Sequence, residues 1–303
     1  MENNEPIWFG KDKKTIANED TYQTIKHNKV DSNTLEINLD KKPVAKIMVC
    51  TPCHSDVSMH YCQAVLKFQM ECMRKNILVS FSLLKSSLVT QGRNLCVAEF
   101  LNHEDHYDYL LFIDSDIDFN ASTIYKMIGA DKDIISCPYP MKTLDLDRMW
   151  AKMKHTDMVK TKDDVLKAAH VFPIKIGKNE LKMEHGVIEV SHAPTGCMLI
   201  KRNVIEKMIE RHPELQIYQS TVINGKEVKK PNFYNLFDTL HDTETKRYFG
   251  EDFGFCQRWT DMGGKVHVYA LDYITHVGDH QYCGRFYDLL QYTKRVDVDK
   301  KIK

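Results

Sequence analysis

Two carboxylates separated by one serine, Asp114-Ser115-Asp116, follow directly on five large apolar residues, Tyr109-Leu-Leu-Phe-Ile113. The apolar run reads as a buried strand, which puts the acids at its carboxyl end. Ligands of open α/β sheets bind beyond that end, and two carboxylates there are placed to hold a divalent cation. A cation pinned at a strand end commonly serves a phosphorylated substrate, so the tripeptide points first to nucleotide or phosphate chemistry. An isolated acidic pair often does no more than solvate a turn. The strand before it and the helix after it give the chemical reading its weight. Asp118 adds a third carboxylate on the same turn, where it need only neutralise or cap.

A second acidic pair, Glu251-Asp252, opens a segment in which Phe255, Trp259 and Met262 recur at helical spacing and must face the core. Both acids then stand at a helix N-terminus, where the dipole favours negative charge. A carboxylate kept ionised there accepts a proton from a hydroxyl at neutral pH. The plainer reading is an ordinary acidic first turn. His276, in Thr275-His-Val-Gly278 beyond the last strand, offers a nitrogen ligand that suits manganese better than magnesium. Fourteen histidines make position alone a poor guide, with His280 and His267 as rivals. His267 alternates with Val266 and Val268, which turns it to solvent. Cys50-Thr-Pro-Cys53-His54 matches a haem-attachment and a thioredoxin-like pattern. With no export signal and no second C-x-x-C pair, the nine scattered cysteines read as reduced thiols in apolar patterns.

Alternating strands and helices must position these groups. Lys46–Cys50 is a strand stopped by Thr51-Pro52, followed by a helix over 58–75 with Tyr61, Val65, Phe68 and Cys72 on one face. Leu78–Leu83 is a strand and Arg93–Asn102 a helix leading into the acidic strand. Asn120 caps a helix over 123–129, and Ile134–Cys137 is a strand ending at Pro138-Tyr139-Pro140. This order predicts βαβ units and a mostly parallel sheet. Residues 141–186 break the pattern and read as an insertion or lid within a domain spanning 43–290. Strands follow at 187–190 and 196–200, around Pro194-Thr195-Gly196, and then a helix from Asn203. Asn224-Gly225 predicts a hairpin turn. A helix over 252–262, closed by Gly263-Gly264, and a strand over 266–271 complete the domain. Residues 1–42 form a polar extension with an apolar knot at Ile7-Trp8-Phe9, and 291–303 a tail.

Forty-two basic residues balance forty-two acidic ones, so no global field draws in nucleic acid or an anionic membrane. No apolar run is long enough to span a bilayer, and the acidic start is no secretory signal. The expectation is a soluble intracellular, cytoplasmic protein of 303 residues.

Seven motifs in a fixed order carry a family resemblance. They are Thr51-Pro52, Arg93-Asn94, Phe112-Ile-Asp-Ser-Asp-Ile117, Tyr139-Pro-Met-Lys142, Pro194-Thr-Gly196, Gly250-Glu-Asp252 with Arg258-Trp259, and His276-Val-Gly278. The chain resembles the GT-A glycosyltransferases, most nearly the compact soluble enzymes of bacteriophage and large viruses. The resemblance implies a Rossmann-like α/β fold with a short antiparallel part in its C-terminal half. It implies a nucleoside-diphosphate sugar as donor, with Mn2+ or Mg2+ held by Asp114, Asp116 and His276. Thr51, Pro52, Arg93, Ser115 and Lys142 would line the donor site; the plainer reading has Pro52 ending a strand and Arg93 and Lys142 as surface charges. Asp252, with Glu251 as the alternative, would be the base of an inverting transfer to a hydroxyl. Gly196 would let the acceptor approach the backbone, and Trp259 belongs to the core. A glycan is the first acceptor to consider, ahead of lipid, protein or a modified nucleobase.

Three rivals remain. A haloacid-dehalogenase-type phosphatase would use Asp114 as nucleophile, but Asp118 stands where that pattern has Thr or Val. A sugar-1-phosphate nucleotidyltransferase needs a glycine-rich loop after the first strand, and Cys50–Ser55 has no glycine. A non-catalytic sugar-nucleotide-binding protein would not need Asp114, Asp116, Asp252 and His276 all intact.

Overall fold

The structure is a computed structural model that describes residues 42–155, 161–177, 181–223, 226–290 and 296–298. The extension at 1–42, the tail at 291–303 and the Asn224-Gly225 turn lie almost wholly outside them. In chain order the first half runs β1 (Ala45–Cys53), α1 (Met59–Arg74), β2 (Ile77–Lys85), α2 (Val89–Asn102), β3 (Tyr109–Ile113), β4 (Ile117–Asp118), α3 (Ala121–Gly129) and β5 (Ile134–Ser136). Next come α4 (Leu146–His155), α5 (Lys162–Ala169), β6 (Leu181–Glu184), β7 (Val187–Val190), β8 (Cys197–Lys201) and α6 (Arg202–Arg211). Two short hairpins follow, β9 (Ser220–Ile223) with β10 (Lys226–Lys229), and β11 (Leu240–Asp242) with β12 (Arg247–Phe249). The chain closes with α7 (Glu251–Asp261), β13 (Val266–Tyr269), β14 (Ile274–Val277), β15 (Gln281–Gly284), α8 (Phe286–Leu290) and β16 (Val296–Val298).

Nine strands form one sheet in the order β16-β6-β7-β13-β5-β8-β3-β1-β2. β1 is parallel to β2 and β3, β13 to β5, and β16 to β6. Only β7 and β8 run against the rest, so the sheet is mostly parallel, as its apolar runs predict. A separate three-stranded antiparallel sheet, β15-β14-β4, supplies the antiparallel part.

Strand side chains alternate between two cores, one on each face of the sheet. Leu110 and Phe112 enter one, Leu111 and Ile113 the other. The first core is covered by α2 (Cys96, Val97, Phe100), α6 (Val204, Ile205, Met208) and α7 (Phe255, Cys256, Trp259). α1 (Tyr61, Ala64, Phe68, Cys72) and α3 (Ile124, Met127) cover the second. Each of the four β3 residues is fully buried, which contributes about 1.5–3 kcal/mol apiece and anchors the strand that carries the acidic turn. Trp259 belongs to this core, its Nε1 donating to the Lys265 carbonyl at 3.2 Å.

Several sequence expectations need correction. β1 does not stop at Pro52 but continues to Cys53, pairing Pro52 with Leu84 of β2. On its other side β3 pairs only as far as Cys50, opposite Phe112, so the proline's missing N–H breaks no ladder there. α2 begins at Val89, one turn before Arg93, and α7 begins at Glu251 rather than Asp252. Residues 141–186 are more than a lid, because they contribute β6 to the main sheet as well as α4 and α5. His267 is half-buried, with Nδ1 shut away from solvent, rather than turned to water. Among the described residues no helix is long and apolar enough to cross a membrane.

Candidate active site

The acidic turn is held from four sides by backbone hydrogen bonds. Ile117 N donates to the Asp114 carbonyl at 3.1 Å, closing the turn itself. Asp114 N donates to the Gly196 carbonyl at 3.0 Å and Ser58 N to the Ser115 carbonyl at 2.8 Å. Val277 N donates to the Asp116 carbonyl at 2.7 Å. The topology explains these partners. β8 runs antiparallel to β3, with Cys197 opposite Ile113, so the Pro194-Thr-Gly196 segment meets the carboxyl end of β3. β14 pairs with β4, placing His276 opposite Ile117.

Asp114 belongs to a closed corner. Arg93 Nη2 donates to both its oxygens, at 3.0 and 3.2 Å, while Arg93 Nε donates to Glu251 Oε1 at 3.4 Å. The arginine side chain is 3% exposed and lies over the Phe112 ring at 5.2 Å. Burial pulls its pKa down, but Asp114 and Glu251 outweigh that and hold it above the ordinary value. Nη1 is buried without a hydrogen-bond partner. Arg93 is therefore no surface charge. Its neighbour Asn94 is structural: it donates to Asn235 Oδ1 at 2.7 Å and accepts from Phe237 N at 2.8 Å, fixing the segment that leads toward α7.

Beside this corner, Asp252 is half-buried in the first turn of α7. Burial, then the adjacent Glu251 charge, push its pKa up to about 6, against the pull of the Phe253 N–H (2.7 Å) and Arg93. Glu251 is bonded to Arg93, whereas Asp252 has no such partner among the described residues and, with its pKa up to about 6, is the acid placed to take a proton near neutral pH.

Asp116 belongs to an open corner. Its Oδ2 lies 2.6 Å from Lys142 Nζ and 3.4 Å from His276 Nε2. Burial raises the Asp116 pKa, but the bonds from His276 and Lys142 outweigh it, leaving the carboxyl below its ordinary value. His276 Nδ1 lies 3.0 Å from the Pro140 carbonyl, which only accepts, so Nδ1 carries a proton. That leaves Nε2 as the ring nitrogen facing a carboxylate oxygen, a pair that a cation between them would join. A backbone carbonyl fixing the far nitrogen is the usual support of a metal-binding histidine. The donor set, one carboxylate and one imidazole, suits a divalent ion that a diphosphate also holds, since such ions often take only one or two protein ligands. The expected three-ligand set does not gather: among the described residues no group of three His, Cys, Asp or Glu side chains is placed to hold a metal, and Asp114 is turned to Arg93.

Other expected site residues fall as follows. Thr51 is fully buried and its hydroxyl is taken by Tyr61 at 2.6 Å, so any part it has in a site is through backbone and packing rather than its hydroxyl. Pro52 is buried against Gly92, where an added Cβ would come within 3.0 Å of it. Gly196 serves a close approach, but of protein: a Cβ there would strike the Tyr139 hydroxyl at 2.5 Å and Asp114 Oδ2 at 2.7 Å. Tyr139 also meets His276 edge-on, ring centroids 4.9 Å apart, and so links the two corners. Two contributors act in ways the sequence did not show. Pro140 acts through its carbonyl, and His192, stacked on Phe249 at 5.5 Å and bonded to Gln257 of α7 at 3.1 Å, supports the acidic helix from below. His280 is exposed, with its ring against Tyr282 rather than Asp116. A cavity of about 690 Å3 at the amino-terminal ends of β1 and β3, lined by Val44, Ile77, Tyr109 and Tyr125, is remote from all this chemistry.

No protein-family model and no curated protein sequence matches the chain. Among solved structures it is similar to A197 from STIV, at 16% identity and a TM-score of 0.41, covering 78% of this chain and 86% of that one. It is also similar to the catalytic domain of Drosophila beta1,4galactosyltransferase 7, solved with xylobiose, at 15% identity and a TM-score of 0.38, covering 85% and 82%. Superpositions this loose assign neither a family nor a reaction.

Proposed function

We propose that the chain is a metal-dependent, inverting glycosyltransferase that moves a hexosyl or N-acetylhexosaminyl group from a nucleoside-diphosphate sugar to a hydroxyl acceptor, with a glycan the first acceptor to test. The observation that carries the reading is the corner in which Arg93 holds Asp114 and Glu251, with a third carboxylate, Asp252, beside it and a fourth, Asp116, on the same turn as Asp114. Asp252, poised near pH 6, sits beside the Arg93–Asp114–Glu251 corner, and Asp116 with His276 lies two residues along the same turn. The motif order GT-A enzymes share supplies the reaction class.

Asp116 and His276 would hold Mn2+ or Mg2+ against the donor diphosphate, and Asp114 would act through Arg93. The bound ion would offset the negative charge that builds on the departing diphosphate. Asp252 accepts the proton of the acceptor hydroxyl, whose oxygen bonds to the anomeric carbon as the bond from that carbon to the diphosphate oxygen breaks. The electron pair leaves with the nucleoside diphosphate, and attack from the opposite face inverts the configuration. Lys142 would place positive charge beside the phosphates. Thr51 and Pro52 would shape the donor pocket through backbone and packing, and Ser115 through the turn.

A phosphatase using Asp114 as nucleophile has less support, because both its oxygens accept hydrogen bonds from a buried guanidinium. The test is a thermal-shift screen of nucleoside diphosphates with Mn2+, then hydrolysis and transfer from the nucleotide sugars whose diphosphates bind. A rise in Tm with one nucleoside diphosphate only when Mn2+ is present, followed by release of that diphosphate, supports the reading. No shift across the panel together with cleavage of phosphate monoesters would sink it.

A further inference from the structure

Resting on that reading and deepening it, we infer that Lys142 is a displaceable stand-in for the divalent cation, holding Asp116 and His276 in place until it is exchanged for metal and diphosphate. Its Nζ sits on Asp116 Oδ2, the same oxygen that faces His276 Nε2. The ammonium therefore already occupies the neighbourhood of a cation shared by those two groups. Its anchorage is light. Lys142 lies in the loop between β5 and α4, its side chain is 39% exposed, and Asp116 is its one ion-pair partner among the described residues. Its stem crosses Gly278, where an added Cβ would come 3.1 Å from Cδ and 3.3 Å from Cε. The glycine two residues after His276 thus leaves the space in which the stem lies. A half-exposed lysine–carboxylate pair is cheap to break, and four methylenes let the ammonium move without any backbone change.

The exchange has a signature with opposite signs. Without nucleotide, Lys142 competes with metal for Asp116 and weakens metal binding. Once nucleoside diphosphate is present, the freed ammonium stays beside the phosphates and strengthens nucleotide binding.

The experiment titrates Mn2+ into the full chain and follows the free-ion electron paramagnetic resonance signal, for wild type, Lys142→Met, Lys142→Gln and Asp116→Asn. Nucleotide affinity is then read by calorimetry, with uridine and guanosine diphosphates at saturating Mn2+. Both lysine variants should bind Mn2+ alone about fivefold more tightly and the preferred diphosphate about fivefold more weakly, while Asp116→Asn loses Mn2+. Unchanged or weaker Mn2+ binding in the lysine variants, with Asp116→Asn still deficient, overturns the stand-in role and leaves the metal reading standing. Absence of Mn2+ binding in wild type and lysine variants alike, even with diphosphate, overturns both. Gly278→Ala, which crowds the stem, should shift Mn2+ affinity in the same direction as the lysine variants.

Discussion

Asp114 and Asp116 lie two residues apart on one turn, yet their surroundings are opposite in kind. Asp114 is clamped by Arg93, 3% exposed and shared with Glu251. Asp116 is held by Lys142, 39% exposed and reaching in from a loop. A guanidinium keeps its charge at any accessible pH, and removing it leaves two acids facing each other with little water. A surface ammonium leaves at small cost. An Asp-Ser-Asp turn therefore need not present two equivalent ligands: here one carboxylate is built into the fold and the other is free to exchange its cation.

The largest effect expected from breaking this division falls on the group beside the closed corner. Asp252→Asn should lower kcat about a thousandfold, within the range for a lost general base, while donor Kd stays within about twofold of wild type. Wild-type kcat/KM should rise with pH through a midpoint near 6, and the rise should be absent in the variant. Full turnover in Asp252→Asn would place the base elsewhere. Next is the clamp itself. Arg93→Met should cost about 2–4 kcal/mol in urea denaturation, below the 3–5 typical of a fully buried broken pair because Asp114 and Glu251 keep 27% and 19% exposure. Arg93→Lys keeps the charge but loses the fork and should cost less. If Arg93→Met costs no more than Lys142→Met, the contrast between the corners collapses.

Much of this was legible in the sequence because it follows from local chemistry. The run Tyr109–Ile113 could only be a buried strand, and Phe255, Trp259 and Met262 could only face a core, so the acids at their ends were placed correctly. What depended on partners distant in the chain was not legible. Nothing local says that Arg93 meets Glu251, 158 residues away, or that Lys142 meets Asp116. The tautomer of His276 hangs on a proline carbonyl that no side-chain pattern marks. Pro52 misled for a related reason: the rule that proline ends strands presumes neighbours on both sides, and β3 stops pairing before reaching it.

Asp252 also sharpens the comparison through stability. Its pKa rises from 3.8 to about 6 on folding, so the folded state holds the proton more tightly. Stability from this group is fully present below about pH 3.8 and is lost as pH climbs through 6, the reverse of a salt-bridged acid. Asp252→Asn should therefore be more stable than wild type at pH 7.5, by about 1–2 kcal/mol once partial exposure is allowed for, and equal to it near pH 4. Denaturation curves at the two pH values decide this. Equal stability at pH 7.5 would mean that Arg93 offsets the cost of burying the Asp252 charge in full.

The smallest effect tests whether the donor pocket reaches β1 at all. Thr51 and Tyr61 share a hydroxyl–hydroxyl bond of 2.6 Å with both residues buried, so the pair belongs to the α1 interface. Thr51→Val leaves the Tyr61 hydroxyl without its partner and should cost about 1 kcal/mol, whereas Thr51→Val with Tyr61→Phe removes both polar groups and should cost less than the two changes summed. Donor KM should stay constant throughout, because each hydroxyl is buried and already bonded to the other. A rise in donor KM with no change in Tm would reverse the assignment, moving Thr51 from the packing of the first helix to the recognition of the nucleotide.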